Sequence, residues 1–221
     1  MSPRSIGLST DLNDYVVAHT TPADDVQQQL IDLTQQMTMS QMQIAPDQGE
    51  FFTILTSLLQ PKFVVEVGTF TGYSSLAIAK GLGPDGRILC CDVSEEWTAI
   101  AREHWEAAGV ADRIELKIAP AIDTLRALPD DTVIDMAFID ADKRGYHAYY
   151  EEILARLADD GVILVDNTLW SGAVVDDSDT SPDTLALREF NDAIVADDRV
   201  RNVVLPIGDG VTMIRRAVTS T

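Results

Sequence analysis

From Lys62 onward the chain alternates short apolar runs with amphipathic stretches, and nothing else in it narrows the fold as far. The apolar runs are FVVEVG (63–68), RILCCD (87–92), RIELKI (113–118), IDMAFID (134–140), VILVD (162–166), RNVVLP (201–206) and VTMIRR (211–216). Between them lie YSSLAIAKGLG (73–83), SEEWTAIAREHWEAAG (94–109), AIDTLRAL (121–128), YHAYYEEILARLADDG (146–161) and TLALREFNDAIVAD (184–197). Runs that are apolar at consecutive positions are buried on both faces, the pattern of parallel strands with helices above and below. Short connections and right-handed crossovers then make the expected architecture α/β and doubly wound, with a mostly parallel seven-stranded sheet. Upstream, ADDVQQQLIDLTQQM (23–37) places Val26, Leu30 and Leu33 at helical spacing, and QGEFFTILTSLL (48–59) reads as a helix capped by Asp47. Ser94 begins a capping pattern before a stripe of Trp97, Ile100, Ala101, Trp105 and Ala108. Residues 1–23 read as polar and irregular, so the organisation expected is one domain over 1–221. It has an N-terminal helical cap segment (1–60) and a core (62–216).

Ligands of doubly wound sheets lie beyond the carboxyl ends of the strands. Those ends carry Glu66-Val67-Gly68, Asp92, Ala119-Pro120-Ala121, Asp140-Ala141-Asp142 and Asp166-Asn167. In EVGTFTGYS (66–74), Gly68 permits a tight turn and Gly72 lets a ligand or a helix approach the backbone. The spacing is G-x-x-x-G, whereas a dinucleotide pyrophosphate calls for G-x-G-x-x-G, and Glu66 would repel it. Asp92 is placed to accept the hydroxyls of a ribose, with helix capping as its plainer role. Together these features favour a nucleoside bearing positive charge, and S-adenosylmethionine fits that description. Asp140 and Asp166 close strands expected to be neighbours, and Asn167 adds an amide oxygen. Such an all-oxygen set suits a hard cation, Mg²⁺ first and Mn²⁺ or Ca²⁺ as alternatives, against a plainer reading in which each residue caps a turn.

Composition excludes some partners. With 16 Lys and Arg against 36 Asp and Glu, the formal net charge is −20. Such a surface repels phosphate backbones and anionic lipid, so neither nucleic acid nor membrane is an expected partner. The cysteines, Cys90 and Cys91, are adjacent in a strand and point to opposite faces, so no disulfide is expected between them. A reducing, cytoplasmic setting follows, and MSPRSIGLST lacks the apolar core of an export signal. No Lys or Arg occurs between Arg4 and Lys62.

With these residues on the page, the chain resembles the cation-dependent O-methyltransferases, the caffeoyl-CoA and catechol O-methyltransferase group, as a bacterial-type member. The resemblance rests on VVEVGTFTGYSSLAIA, GRILCCDVSEEW, AGVADRIELKIAPAIDTL, DMAFIDADK, GVILVDNTLWSGAVV and LPIGDGVTMIRR, in order from about Gln43 to Arg216. It implies the Rossmann-like fold of class I S-adenosylmethionine methyltransferases and a homodimer. It implies cofactor contacts at Ile44, Glu66, Gly68, Ser74, Asp92, Ala121 and Asp142, and metal ligands at Asp140, Asp166 and Asn167. Lys143 matches the lysine proposed as base in the catechol enzymes, so Lys143 and Asp140 are the catalytic candidates.

The expected reaction is methyl transfer from the sulfonium to a hydroxyl of a catechol-like small aromatic acceptor. A CoA thioester carries several phosphate charges and wants Lys or Arg, which the cation-free stretch before Lys62 does not offer. Ser171 stands where plant caffeoyl-CoA members commonly carry Asn. Trp170 reads either as a stacking surface for the acceptor or as core, His147 as solvated, and 174–183 either as a lid or as an acidic surface loop. The alternatives carried forward are a tRNA hydroxyuridine O-methyltransferase and a nicotinamide-dependent dehydrogenase on a similar fold.

Overall fold

In a computed structural model, which describes residues 7–217, the sheet is central and helices cover both its faces. Residues 1–6, and with them Arg4 and part of the N-terminal reading, lie outside the described residues. The strands are β1 (Phe63–Val67), β2 (Arg87–Asp92), β3 (Ile114–Ile118), β4 (Ile134–Ile139), β5 (Leu157–Val165), β6 (Val200–Leu205) and β7 (Val211–Arg216). Their order is β3-β2-β1-β4-β5-β7-β6. Pairing is parallel from β3 through β5, and β7 runs antiparallel to both β5 and β6. The mostly parallel, seven-stranded sheet expected from the apolar runs is therefore present.

Strand alternation divides the core in two. On one face Val64, Ile88, Cys90, Met136, Phe138 and Leu164 pack under α2 (Asp25–Gln35), α3 (Pro46–Leu59), α4 (Tyr73–Gly81) and α5 (Glu95–Ala107). On the other, Val65, Val67, Leu89, Cys91, Ile139 and Ile163 pack under α6 (Ala121–Arg126), α7 (Tyr146–Arg156) and α8 (Pro182–Ala196). Cys90 and Cys91 are free, buried and on opposite faces.

Four expectations need correction. Residues 10–18 form a helix, α1 (Thr10–Ala18), capped by the Ser9 side chain; none of its residues is buried, so no apolar stripe announced it. The buried face of α2 is Gln27, Leu30, Ile31 and Thr34, with Leu33 turned outward. Gln27 and Thr34 tolerate burial because Lys80 donates to Gln27 and Thr34 bonds Thr71. Helix α3 begins after Ala45 with Pro46 in its first turn, so Asp47 lies inside that turn and does not cap it. Helix α7 stops at Arg156, because Leu157 is already extended and pairs with Ile134. The exposed Asp159 and Asp160 lie where the register shifts, before Val162 meets Met136.

The strand ends are knit into one edge by backbone bonds. Gly68 donates to Cys91, Asp140 to Val67 and Asp166 to Ile139, at 2.8–2.9 Å. This edge leaves no room at Gly68, where φ is +90° and an added Cβ would lie 2.0 Å from the Asp140 carbonyl oxygen. Gly72 is also left-handed, at φ +83°, and there the neighbour is α5, which approaches through Ala101 and Trp105. Gly68→Ala should therefore destabilise the fold by about 3 kcal/mol, from left-handed strain plus a backbone clash. Urea unfolding checks this, and a loss under about 1 kcal/mol would show that the edge can yield.

Candidate active site

Beyond this edge opens a cavity of about 1100 Å³. Single-ligand pockets run from roughly 300 to 1,000 Å³, so two small molecules fit here side by side. The β1–β3 end is lined by Gly68, Phe70, Ser74, Asp92, Trp97 and Ala121, with Ile44 from the segment before α3. The β4–β5 end is lined by Asp140, Lys143, Asp166, Asn167, Trp170 and Asp209. Asp142 and Tyr149 also face the cavity, and the Tyr149 hydroxyl donates to Asp142 at 2.6 Å.

The β4–β5 end is the more unusual. Asp140 and Asp166 follow the paired residues Ile139 and Val165, so parallel register alone brings them together. Burial raises the carboxyl pKa of both; the negative charge of Asp140 adds to the rise at Asp166, which reaches about 7. The surroundings answer this crowding with donors from separate elements. Gln48 of α3 donates to one Asp166 oxygen at 2.7 Å, and the Asn167 backbone N–H donates to the other at 2.7 Å. The Lys143 ammonium donates to Asp140 (3.1 Å), to the Asn167 side-chain oxygen (2.6 Å) and to the Tyr146 hydroxyl (2.6 Å). Tyr146 in turn donates to the Asp166 carbonyl oxygen. A cation thus already sits against two oxygens of the set.

Asp140, Asp166 and Asn167 fit a hard cation by their chemistry: oxygen donors only, two of them carboxyls that burial and mutual repulsion destabilise as anions. Among the described residues no group of three or more His, Cys, Asp or Glu is arranged to hold a metal, and the third oxygen donor of this set is an amide.

At the other end, Asp92 closes the glycine turn. One of its oxygens accepts from the Thr69 and Phe70 backbone N–H groups, both at 2.9 Å, and the other accepts from Ser94 at 2.8 Å. The second oxygen keeps acceptor capacity toward the cavity. Ser94 itself caps α5, which frees Asp92 from that task. Glu66 lies deeper than the other residues of this end. It is fully buried and off the cavity lining, with Ser74 between, whose hydroxyl donates to it at 2.7 Å. Burial pushes its carboxyl up to about 7, against the opposing pull of Ser74. His147 is exposed and Trp170 lines the cavity.

Of the residues singled out from sequence, the structure brings Ile44, Gly68, Ser74, Asp92, Ala121, Asp140, Asp142, Lys143, Asp166 and Asn167 to this one cavity and sets Glu66 behind it. It adds Gln48, Tyr149 and Asp209 to the lining and sets the buried Tyr146 against Lys143. Gln48 left a trace in the sequence, since Gln48, Phe52 and Thr56 share the buried face of α3. A polar residue on such a face must find a partner.

The model of the O-methyltransferase family matches residues 18–217. The chain belongs to the O-methyltransferase family. A Dictyostelium discoideum protein named "Probable caffeoyl-CoA O-methyltransferase 2" is 40% identical to this O-methyltransferase over 208 residues, covering 92% of this chain and 90% of that protein. The caffeoyl-CoA O-methyltransferase of Mesembryanthemum crystallinum is 38% identical over 199 residues, covering 85% and 78%. Among solved structures, the SAH-bound Podospora anserina methyltransferase PaMTH1 superposes with a TM-score of 0.88 at 26% identity, over 98% of this chain and 100% of that one. The Bacillus cereus O-methyltransferase in complex with SAH gives 0.86 at 29%, over 94% and 98%. The fold is that of the class I S-adenosylmethionine methyltransferases.

The Glu66 carboxyl has a folded pKa above its ordinary value of 4.5, so the native state holds the proton more tightly than the unfolded chain. Folding stability associated with it is complete below about pH 4.5 and declines as pH rises toward about 7. Glu66→Gln removes that loss. Its stability relative to wild type should improve by about 2–3 kcal/mol between pH 4 and pH 8, read by denaturant titration at each pH. Parallel pH curves would contradict this.

Proposed function

We propose that this S-adenosylmethionine-dependent O-methyltransferase methylates a catechol-like acceptor, a small aromatic with vicinal hydroxyls, and that it does so with a divalent cation held by Asp140, Asp166 and Asn167. The observation that carries the reading is the meeting of a buried carboxyl, Asp166, and a half-buried one, Asp140, with Asn167 and Lys143 at one end of a cavity large enough for two ligands. Cofactor binding is assigned to the other end, with Asp92 accepting from ribose hydroxyls and Ile44, Gly68, Ser74 and Ala121 lining the remainder. Asp142, also in the cavity lining, is assigned to the cofactor as well.

The cation, when bound, supplies positive charge that lowers the pKa of an acceptor hydroxyl. The protein's own part is to orient. Trp170 gives the acceptor a flat wall, and two ligands fixed end to end need little further organisation for in-line transfer. Lys143, as the free amine, takes the hydroxyl proton at Nζ and becomes the ammonium. The Asp140 and Asn167 oxygens that accept from Nζ are also the proposed cation ligands, so the lysine and the cation draw on the same acceptors. Lys143→Met should remove most of the turnover while calorimetry finds unchanged S-adenosylmethionine affinity. Unimpaired turnover would end the catalytic assignment.

Among the described residues, Lys143 is the one Lys or Arg that lines the cavity, against five Asp, and its ammonium is engaged. That charge balance favours a free acceptor over a phosphate-bearing CoA thioester, and disfavours tRNA for the same reason. Purified enzyme should methylate catechol, caffeic acid or flavonoid acceptors with S-adenosylmethionine, and EDTA should abolish the activity. Undiminished activity in EDTA removes the metal from the reading. Turnover of caffeoyl-CoA comparable to that of caffeic acid overturns the acceptor assignment.

A further inference from the structure

The segment that follows the paired carboxyls is held in strain. Asn167, Trp170 and Ser171 have φ of +55°, +48° and +50°, and Gly172 has +86°. Asn and Gly enter this region readily, but Trp and Ser do not, and such residues persist only where their surroundings hold them. One hold comes from the turn between β6 and β7, where an Asp209 carboxylate oxygen accepts from the Ser171 N–H at 2.6 Å.

The other hold is Arg188 of α8. Its Nε donates to the Val174 carbonyl (3.0 Å), Nη1 to Asp179 (3.0 Å), and Nη2 to both Ala173 (2.8 Å) and Asp176. In an acidic stretch such an arginine would be expected to pair with carboxylates, yet this guanidinium is spent on four main-chain carbonyls of a single loop. The loop's acidic side chains turn to their own backbone instead. Asp176 accepts from the Ser178 N–H and hydroxyl, and Asp179 from the Ser181 N–H. The helix that carries Arg188 is anchored by Leu187 and Phe190, which are buried in the core. The loop over 173–179 is therefore an acidic surface loop fastened to α8 as a rim.

That rim sets the position of the cavity wall. Trp170, Ser171 and Ala173 line the cavity, and the Trp170 ring centroid lies 5.5 Å from the Lys143 ammonium. We propose that Arg188 is a positioning residue for the methyl acceptor: by gathering the carbonyls of 173–179 it keeps the strained Trp170–Gly172 turn in place, and with it the aromatic wall beside Lys143. The inference rests on the reading of the β4–β5 end as the acceptor's end. Arg188 itself touches neither reactant.

Two variants, Arg188→Gln and Arg188→Lys, test it with two independent readings. The glutamine cannot span the four carbonyls, and lysine offers its donors from a single point, so its effect should be intermediate. In the full-length protein with S-adenosylhomocysteine, an aspartate-directed protease should cut within 176–179 about tenfold faster in Arg188→Gln than in wild type. In steady-state assays the KM for caffeic acid should rise about tenfold while the KM for S-adenosylmethionine stays within about twofold. Should Arg188→Gln fail to fold, Arg188→Lys carries both readings. An unchanged cutting rate overturns the proposal, and so does a freed loop with an unchanged acceptor KM. A wild-type enzyme that methylates no catechol-like acceptor defeats the functional reading instead, and the protease arm then decides the clamp alone.

Discussion

Two carboxyl groups that cannot easily both be charged, Asp140 and Asp166, are forced together by the register of β4 against β5. Much of the site's construction is a response to that pairing. Gln48 reaches in from α3, Tyr146 from the start of α7, Asn167 from the turn after β5, and Lys143 from the turn after β4. Gln48, Asn167 and Lys143 each supply a donor or a charge to one of the two carboxyls, and Tyr146 donates to the main-chain carbonyl of Asp166. The N-terminal helices thus serve the site as well as cover the sheet, since the amide that holds Asp166 belongs to α3. Lys143 links the two strand ends directly, because its one ammonium bonds Asp140 and Asn167.

The sheet was legible in the sequence because consecutive apolar residues report burial on both faces, and burial is what makes a parallel sheet. The strand-end residues were legible for the same reason: once the strands are placed, topology carries Gly68, Asp92, Asp140 and Asp166 to one edge. Hydrophobic periodicity says little about polar side chains with distant partners. Gln27 and Thr34 took the buried face of α2 in place of Leu33 because Lys80 and Thr71 were there to meet them. The partner of Gln48 lies 118 residues away in the chain. Helix α1 buries no side chain and so left no apolar stripe to read. The family resemblance implied a cofactor contact at Glu66; strand alternation turns its side chain into the core and leaves Ser74 at the surface of the cavity.

Charge separates this chain from a simple reading of its relatives' names. Several are called caffeoyl-CoA O-methyltransferases, yet the cavity here presents five aspartates and one engaged lysine. Phosphate groups arriving at such a mouth would meet repulsion that a neutral catechol would not. The same surplus of carboxylate suits one ligand with a sulfonium and another bound through a divalent cation. The acidic loop after Trp170 is fixed by main-chain bonds to Arg188. Hydrogen bonds from Ser178 and Ser181 hold the Asp176 and Asp179 carboxyls below their ordinary pKa, and the Arg188 charge also helps.

The central claim is that the oxygens of Asp140, Asp166 and Asn167 hold a divalent cation. Calorimetric titration of Mg²⁺, with Mn²⁺ as a second ion, into the wild-type protein and into Asp166→Asn tests it without reference to any acceptor. One site per chain in the wild type, weakened about 100-fold or more by the substitution, is the result predicted. Equal binding by both proteins, or none by the wild type, would contradict it.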